Sequence, residues 1–334
     1  MTTQATPERR ATVAETAPTP RRRLTAAGLE RWTLPAVFVL AIALFSILKP
    51  AVFPTPANFI AIVQQNLPLL VVVGGLCVVL ALREFDLSFG FVAGAAGALA
   101  VQSMVLWQAN WIVATLLGIV FGAVLGAVNG ILVAYTRLPS FIGTLATGAT
   151  IQGVMLAISS QTIFSGIAPE YTLITGATIG TLPIDIVVVA VLLVAIGALL
   201  RFTVFGRHAS AIGDNPVAAR IAGVNVKGIQ VLSFTLVGAC AGISGVLLTS
   251  QAGQYYPDPG SSLLLPAFAA AYLSLSLGRG WRFNVGGAVL GALFLAVVST
   301  GVTMLNQPSW LGQLLQGLIL LIAILALNRR RGTR

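Results

Sequence analysis

Apolar residues along this chain gather into long runs that stop at Pro, Gly, Asn or clustered charge. The runs are Leu34–Leu48, Phe59–Ala81, Leu87–Leu106, Ile112–Tyr135, Phe141–Ser159, Ile184–Leu200, Ile229–Ser250, Leu263–Leu277, Val285–Leu305 and Trp310–Leu327. A helix needs about 20 mostly apolar residues to cross a bilayer. The pattern therefore predicts an all-α, polytopic membrane protein with about ten transmembrane helices.

Composition supports this class. Apolar residues make up 57% of the 334 residues and charged residues 8%, against about 25% charged in soluble globular chains. Many of the charges lie before Trp32, so the remainder is too poorly charged for a water-facing surface. A soluble enzyme, a coiled coil and a disordered chain are excluded on this ground. The N-terminal segment, residues 1–33, holds Arg9, Arg10, Arg21, Arg22, Arg23 and Arg31 among prolines. It reads as a disordered basic tail. Lys49-Pro50 after the first run makes a poor signal-peptide cleavage site, so that run reads as an uncleaved first span. Residues 34–328 form the membrane domain, with a cytoplasmic loop at 201–228, and 329–334 a second basic tail.

The net charge is +10, and its placement gives orientation rather than nucleic-acid affinity. With ten spans and a cytoplasmic N-terminus, every basic residue except Lys49 falls inside. The inside set includes Arg83, Arg137, Arg201, Arg207, Arg220, Lys227, Arg279, Arg282, Arg329, Arg330, Arg331 and Arg334. Such an excess of Lys and Arg marks cytoplasmic loops. It predicts a bacterial inner-membrane protein with both termini cytoplasmic.

The hexapeptide Gly122–Ala127 recurs as Gly287–Ala292, 165 residues later. That offset maps spans two to five onto spans seven to ten, which cross in opposite senses. The expectation is an inverted repeat with a pathway between its halves. Gly118, Gly122, Gly126 and Gly130 share one face of span four and let another helix approach closely.

Chemistry is sparse. Cys77 and Cys240 lie in apolar runs, and the lone His208 has no ligand cluster around it. No catalytic, cofactor or metal site is expected. A phosphate-binding loop of the GxxxxGK type is missing, so ATP would have to be bound by a partner. The spans lack the acids that an ion-coupled carrier uses, with Glu170 and Asp185 near the outer edge and Glu84 and Asp86 at the inner break between spans two and three. Polar residues that could line a pathway include Gln64, Asn66, Asn129, Thr144, Thr147 and Gln152. Asp86 and Ser88 open span three and suit either a helix cap or a gate.

The loop after span six is the most informative. Asp214 or Asn215 suits an N-cap, Pro216 the first helical position and Gly223 the left-handed residue after the helix. A helix of about two turns results, with Val217 and Ile221 on one face and Arg220 beside them. It is too short to stand alone in water, so it needs a surface to dock on.

This loop resembles the coupling segment of permease subunits of bacterial ATP-binding-cassette sugar importers, the ribose/xylose/arabinose permease family. Pro56-Ala57-Asn58-Phe59-Ile60, Phe85-Asp86-Leu87-Ser88-Phe89-Gly90, Asn129-Gly130 and Leu138–Leu145 resemble the same family, in order. The resemblance implies a permease that translocates a small polar solute, such as a monosaccharide. It also implies cytoplasmic ATPase subunits, a second permease copy or paralogue, and an external solute-binding protein. Asp214, Asn215, Pro216, Val217, Arg220, Ile221 and Gly223 would couple to the ATPase, while Asp86, Ser88, Asn129 and Thr144 would line or gate the pathway. Where the family carries a Gly-rich stretch after span eight, this chain reads Leu275–Asn284, which leaves the sugar open. Branched-chain amino-acid permeases share the architecture and remain an alternative, as does an ion-coupled carrier.

Overall fold

The computed structural model describes residues 32–136, 138–159, 162–258, 260–277 and 282–331. The predicted tail before Trp32, Arg137, Arg279 and the last three residues lie outside that set. In chain order the helices are α1 (Thr33–Leu48), α2 (Pro56–Gln65), α3 (Leu67–Ala81), α4 (Phe89–Trp107), α5 (Trp111–Thr136), α6 (Ser140–Ser159) and α7 (Pro169–Gly176). A two-stranded ribbon follows, β1 (Thr178–Ile179) and β2 (Leu182–Pro183), then α8 (Ile184–Phe202), α9 (Val204–Asp214), α10 (Pro216–Ile221) and α11 (Val226–Ala252). The chain ends with α12 (Leu264–Leu273), flanked by 3-10 turns Ser261–Leu263 and Ser274–Ser276, α13 (Val285–Met304) and α14 (Ser309–Arg331).

Helix α4, α5, α6, α8, α11 and α13 are each long and apolar enough to cross a membrane. The bent pair α2–α3 makes a seventh candidate, and α1, Ser261–Ser276 and Trp310–Ile322 are shorter apolar helices. All ten apolar runs are thus helical, but not all are full-length rods. The ribbon, α7 and α9 fall where the hydropathy pattern has no long run. Short elements of this kind form only when packed on a larger surface.

The bend of 52° between α2 and α3 has a local cause. Pro68 carries no N–H, so the carbonyl of Gln64, four residues earlier, loses its helical donor. Gln251 Nε2 supplies the bond instead, at 2.8 Å. Asn66 Nδ2 reaches back to the Ile62 carbonyl at 2.8 Å. A break written by one proline is thereby held open by a side chain from α11.

Helix α11 is the central element, packed on α3, α4 and α5. Its approach to α5 is backbone on backbone. A Cβ at Gly122 would stand 2.5 Å from the Gly238 carbonyl oxygen and 2.8 Å from the Gly242 Cα. The glycine stripe therefore does what its spacing predicts, and the opposite face of α5 exposes Val120, Val124, Val128 and Ile131. An apolar outward face suits a lipid surround.

Pairwise contacts fix relative directions. Gly122 meets Gly238, whereas Gly130 meets Val231, so α5 and α11 are antiparallel. Gly75 meets Cys240, and Ser244 Oγ donates to the Pro68 carbonyl, so α3 is also antiparallel to α11. Gln64 meets Asp185 and Gly74 meets Leu193, making α8 parallel to α3. Helix α13 starts beside the far end of α8, where Gly197 faces Val285, and reaches Phe45 at Gly301. Spans four (α5) and nine (α13) therefore run in opposite directions.

Candidate functional site

Two extended connectors enter the bundle from opposite ends and meet inside it. The first is Arg83–Ser88, between α3 and α4. The second runs from Gly253 to Gly260, between α11 and α12. They touch at Gly90 and Gly260, where a Cβ on Gly90 would lie 2.6 Å from the Gly260 carbonyl oxygen. Only glycine permits this approach from either side. Gly97 packs on Gly245, so Gly90, seven residues earlier on α4, stands at about the level of Gly238, roughly 20 Å below the end of α11 at Ala252. The second connector thus re-enters by that depth, which is why the eighth apolar helix is short.

The first connector is held by side-chain hydrogen bonds from several helices. Asp86 accepts from Ser88 N at 2.8 Å and from Ser88 Oγ at 2.6 Å. Asn129 Nδ2, on α5, donates to Ser88 Oγ at 2.7 Å. Leu87 N donates to Thr144 Oγ1 and Phe85 N to Ser140 Oγ, both at 3.0 Å. Alternate residues of the connector thereby grip residues one turn apart on α6. Asp86, Ser88, Asn129 and Thr144 converge on this one joint, and all four are buried. Asp86 bonds the N–H and hydroxyl of Ser88, the residue that precedes the first turn of α4, and that helix start carries no side-chain cap. At the entrance, Glu84 accepts from Gln230 Nε2 at 2.9 Å.

The second connector is held differently. Asp258 has φ 57°, the left-handed conformation that Asp tolerates better than most residues. Its Oδ2 accepts from Gln152 Nε2 on α6 at 2.9 Å. Tyr255 is buried and forms a bridge with Phe164. This grouping has no hydrophobic signature, so hydropathy could not reveal it; the turn residues Pro257-Asp258-Pro259-Gly260 are its only trace in the sequence. A further polar cluster, at the Gln64 end, was equally hidden. Gln64 Nε2 donates to the Thr175 carbonyl at 2.6 Å and to Asp185 Oδ2 at 3.2 Å, while Thr175 pairs with Ser250 at 2.9 Å. Asp185, the second residue of α8, is buried at that end of the span.

At the opposite end, α9 and α10 make a compact module. Asn215, not Asp214, is the N-cap: its Oδ1 accepts from Val217 N and Ala218 N, each at 3.0 Å. Gly223 has φ 83°, as the helix stop requires. Ala209, Ile212 and Ala219 turn inward onto Leu82 and Val226. Val217 and Ile221 face outward, 64% and 83% exposed. Asp214 instead binds Arg282 at 2.8 Å and lies 3.9 Å from Arg83. The module thus rests on the end of α3, immediately before the first connector. Among the described residues, no group of three or more His, Cys, Asp or Glu could hold a metal ion.

Residues 58–324 match the family described as the branched-chain amino acid transport system / permease component. The chain is 30% identical over 316 residues to the ribose import permease protein of Escherichia coli strain K12, covering 93% of this chain and 98% of that protein. It is 33% identical over 296 residues to the autoinducer 2 import system permease protein of Klebsiella pneumoniae, covering 88% and 84%. Against the D-allose transport system permease protein of Escherichia coli strain K12, identity is 29% over 295 residues, covering 87% and 90%.

Proposed function

The chain belongs to the branched-chain amino acid transport system / permease component family, and from that premise we propose that it is the membrane-spanning subunit of an ATP-binding-cassette importer for a monosaccharide. The observation that carries the mechanism is the pair of exposed aliphatic side chains, Val217 and Ile221, on a capped helix seated over the end of α3. Such a helix suits a groove on a cytoplasmic ATPase. Asp214, Asn215, Pro216 and Gly223 shape the module, while Val217, Arg220 and Ile221 make the contact. ATP binds to the partner, and this chain carries no catalytic step. An external binding protein delivers the solute, and a second permease copy or paralogue completes the passage.

In this reading the chain crosses the inner membrane ten times with both termini cytoplasmic. The opposed α5 and α13, and the connectors meeting at Gly90 and Gly260, support an inverted repeat of spans two to five and seven to ten. Movement of the docked module passes through Leu82 and Arg83 into the Asp86–Ser88–Asn129–Thr144 joint. That joint then acts as the base of a gate rather than as a solute contact. Ribose and D-allose, the solutes in two relatives' names, make a monosaccharide the favoured cargo.

Reconstitution with the ATPase subunit and the binding protein tests this. Uptake of labelled monosaccharide into proteoliposomes should require ATP and both partners. Uptake that persists without the ATPase and collapses with an ionophore would replace this reading by an ion-coupled carrier.

A further inference from the structure

The two connectors treat their acids differently. Asp86 is consumed locally by Ser88 and is sealed from any solvent. Asp258 is only half-buried, and the 3-10 turn that follows has no side-chain cap, so its carboxylate does not serve the helix start. Among the described residues, the side-chain hydrogen bond to that carboxylate comes from the amide of Gln152. Among the described residues no Lys, Arg or His forms an ion pair with it; the two salt bridges both belong to Asp214.

Depth makes this arrangement informative. Gln152 is the thirteenth residue of α6, about 18 Å along a helix roughly 30 Å long. A carboxylate at that level, accessible and without a cation, is strongly disfavoured against hydrocarbon, and such residues face water-filled passages instead. Tyr256, two residues away, is 36% exposed. A carboxylate, a carboxamide and an accessible aromatic ring form the set that polyhydroxylated solutes need. The acid and amide take hydroxyl groups, and the ring takes the C–H face of a sugar.

We propose that Asp258 and Gln152, with Tyr256, form a recognition station for a polyhydroxylated solute part-way along the translocation pathway. The inference rests on the importer reading and deepens it, by naming where the pathway reads its cargo. Asp258 Oδ1, which Gln152 does not occupy, accepts from the solute's hydroxyl groups. Gln152 both fixes the carboxylate and offers its own carbonyl oxygen. Tyr255, buried against Phe164, anchors the connector so that Asp258 keeps its left-handed backbone.

Two measurements on the assembled importer in proteoliposomes test it. In the first, Asp258→Cys is exposed to a charged, membrane-impermeant thiol reagent, with Val217→Cys as the exposed reference. The native Cys77 and Cys240 are buried, so background labelling stays low. Asp258→Cys should label within about tenfold of the reference rate. Labelling only by a lipid-soluble reagent, or none, would overturn the proposal. In the second, ribose uptake is compared with 2-deoxyribose uptake in Asp258→Asn and Asp258→Glu. A charge-assisted hydrogen bond is about twice as strong as a neutral one, so Asp258→Asn should lower ribose uptake on the order of tenfold. Deoxyribose uptake should fall less, and Asp258→Glu should restore part of the ribose loss at unchanged membrane abundance. Equal losses for both sugars, without rescue by Glu, would mark a merely structural residue and overturn the proposal. Wild-type uptake with unaltered Asp258→Asn uptake sinks this inference alone. A wild-type importer that moves no monosaccharide sinks the importer reading as well.

Discussion

The double substitution Val217→Asp/Ile221→Asp probes the proposed docking helix α10 with little risk to the fold. Both side chains are mostly exposed, 64% and 83%, so the isolated permease barely uses them. Surface changes of this kind usually shift stability by no more than about 0.5 kcal/mol. The partner would bury that exposed fraction. Full burial of a Val or Ile side chain is worth about 1.5–3 kcal/mol, and scaling by exposure leaves about 2–4 kcal/mol for the pair. At about 1.4 kcal/mol per decade, the ATPase should bind at least 30-fold more weakly. Two carboxylates facing an apolar groove add a desolvation cost to the lost burial. The assay measures ATPase binding to detergent-purified permease and ATP-driven uptake in proteoliposomes, with the unfolding midpoint as control. Binding and uptake should collapse while the midpoint stays near that of the unaltered protein. Normal uptake with the double variant would refute the docking argument, because no groove tolerates two buried carboxylates at that site.

Gly122→Leu should abolish folded, detergent-stable protein, because any Cβ there already meets the Gly238 carbonyl and Gly242 Cα; size-exclusion chromatography would report it. Thr144→Val leaves the Leu87 N–H without its acceptor, a cost of about 1–3 kcal/mol that should lower the unfolding midpoint, while Thr144→Ser should keep most of it. Reporter fusions at Gln254 and after Arg334 should fall on opposite sides of the membrane, external and cytoplasmic respectively; both on one side would reject the ten-crossing topology.

Most of the helices and the capped α10 helix are legible in the sequence for a plain reason. Apolar run length, the glycine spacing of α5 and the Asn215-Pro216…Gly223 punctuation are local, and local backbone rules act on them directly. Even there, the choice between Asp214 and Asn215 as cap needed three dimensions, because Arg282 draws Asp214 away. The bend at Pro68 is written locally as well, although the donor that stabilises it comes from Gln251, 187 residues distant.

What only the tertiary structure decided is where polar side chains meet. Hydropathy ranks Gln152 as a generic polar residue of a span and Asp258 as a turn residue, 106 positions further on. Their pairing depends on the second connector's descent to Gly90, which no periodicity encodes. Likewise Asp86 could be a cap or a gate by type alone, and its bonds to Ser88 with the grip of Thr144 on Leu87 make it part of a buried joint. In a chain solvated by lipid, sequence alone determines which segments enter the bilayer, because transfer free energy sums along the chain. Which polar groups satisfy one another inside it depends on helix packing, because every buried donor and acceptor must find a partner that can lie a hundred residues away.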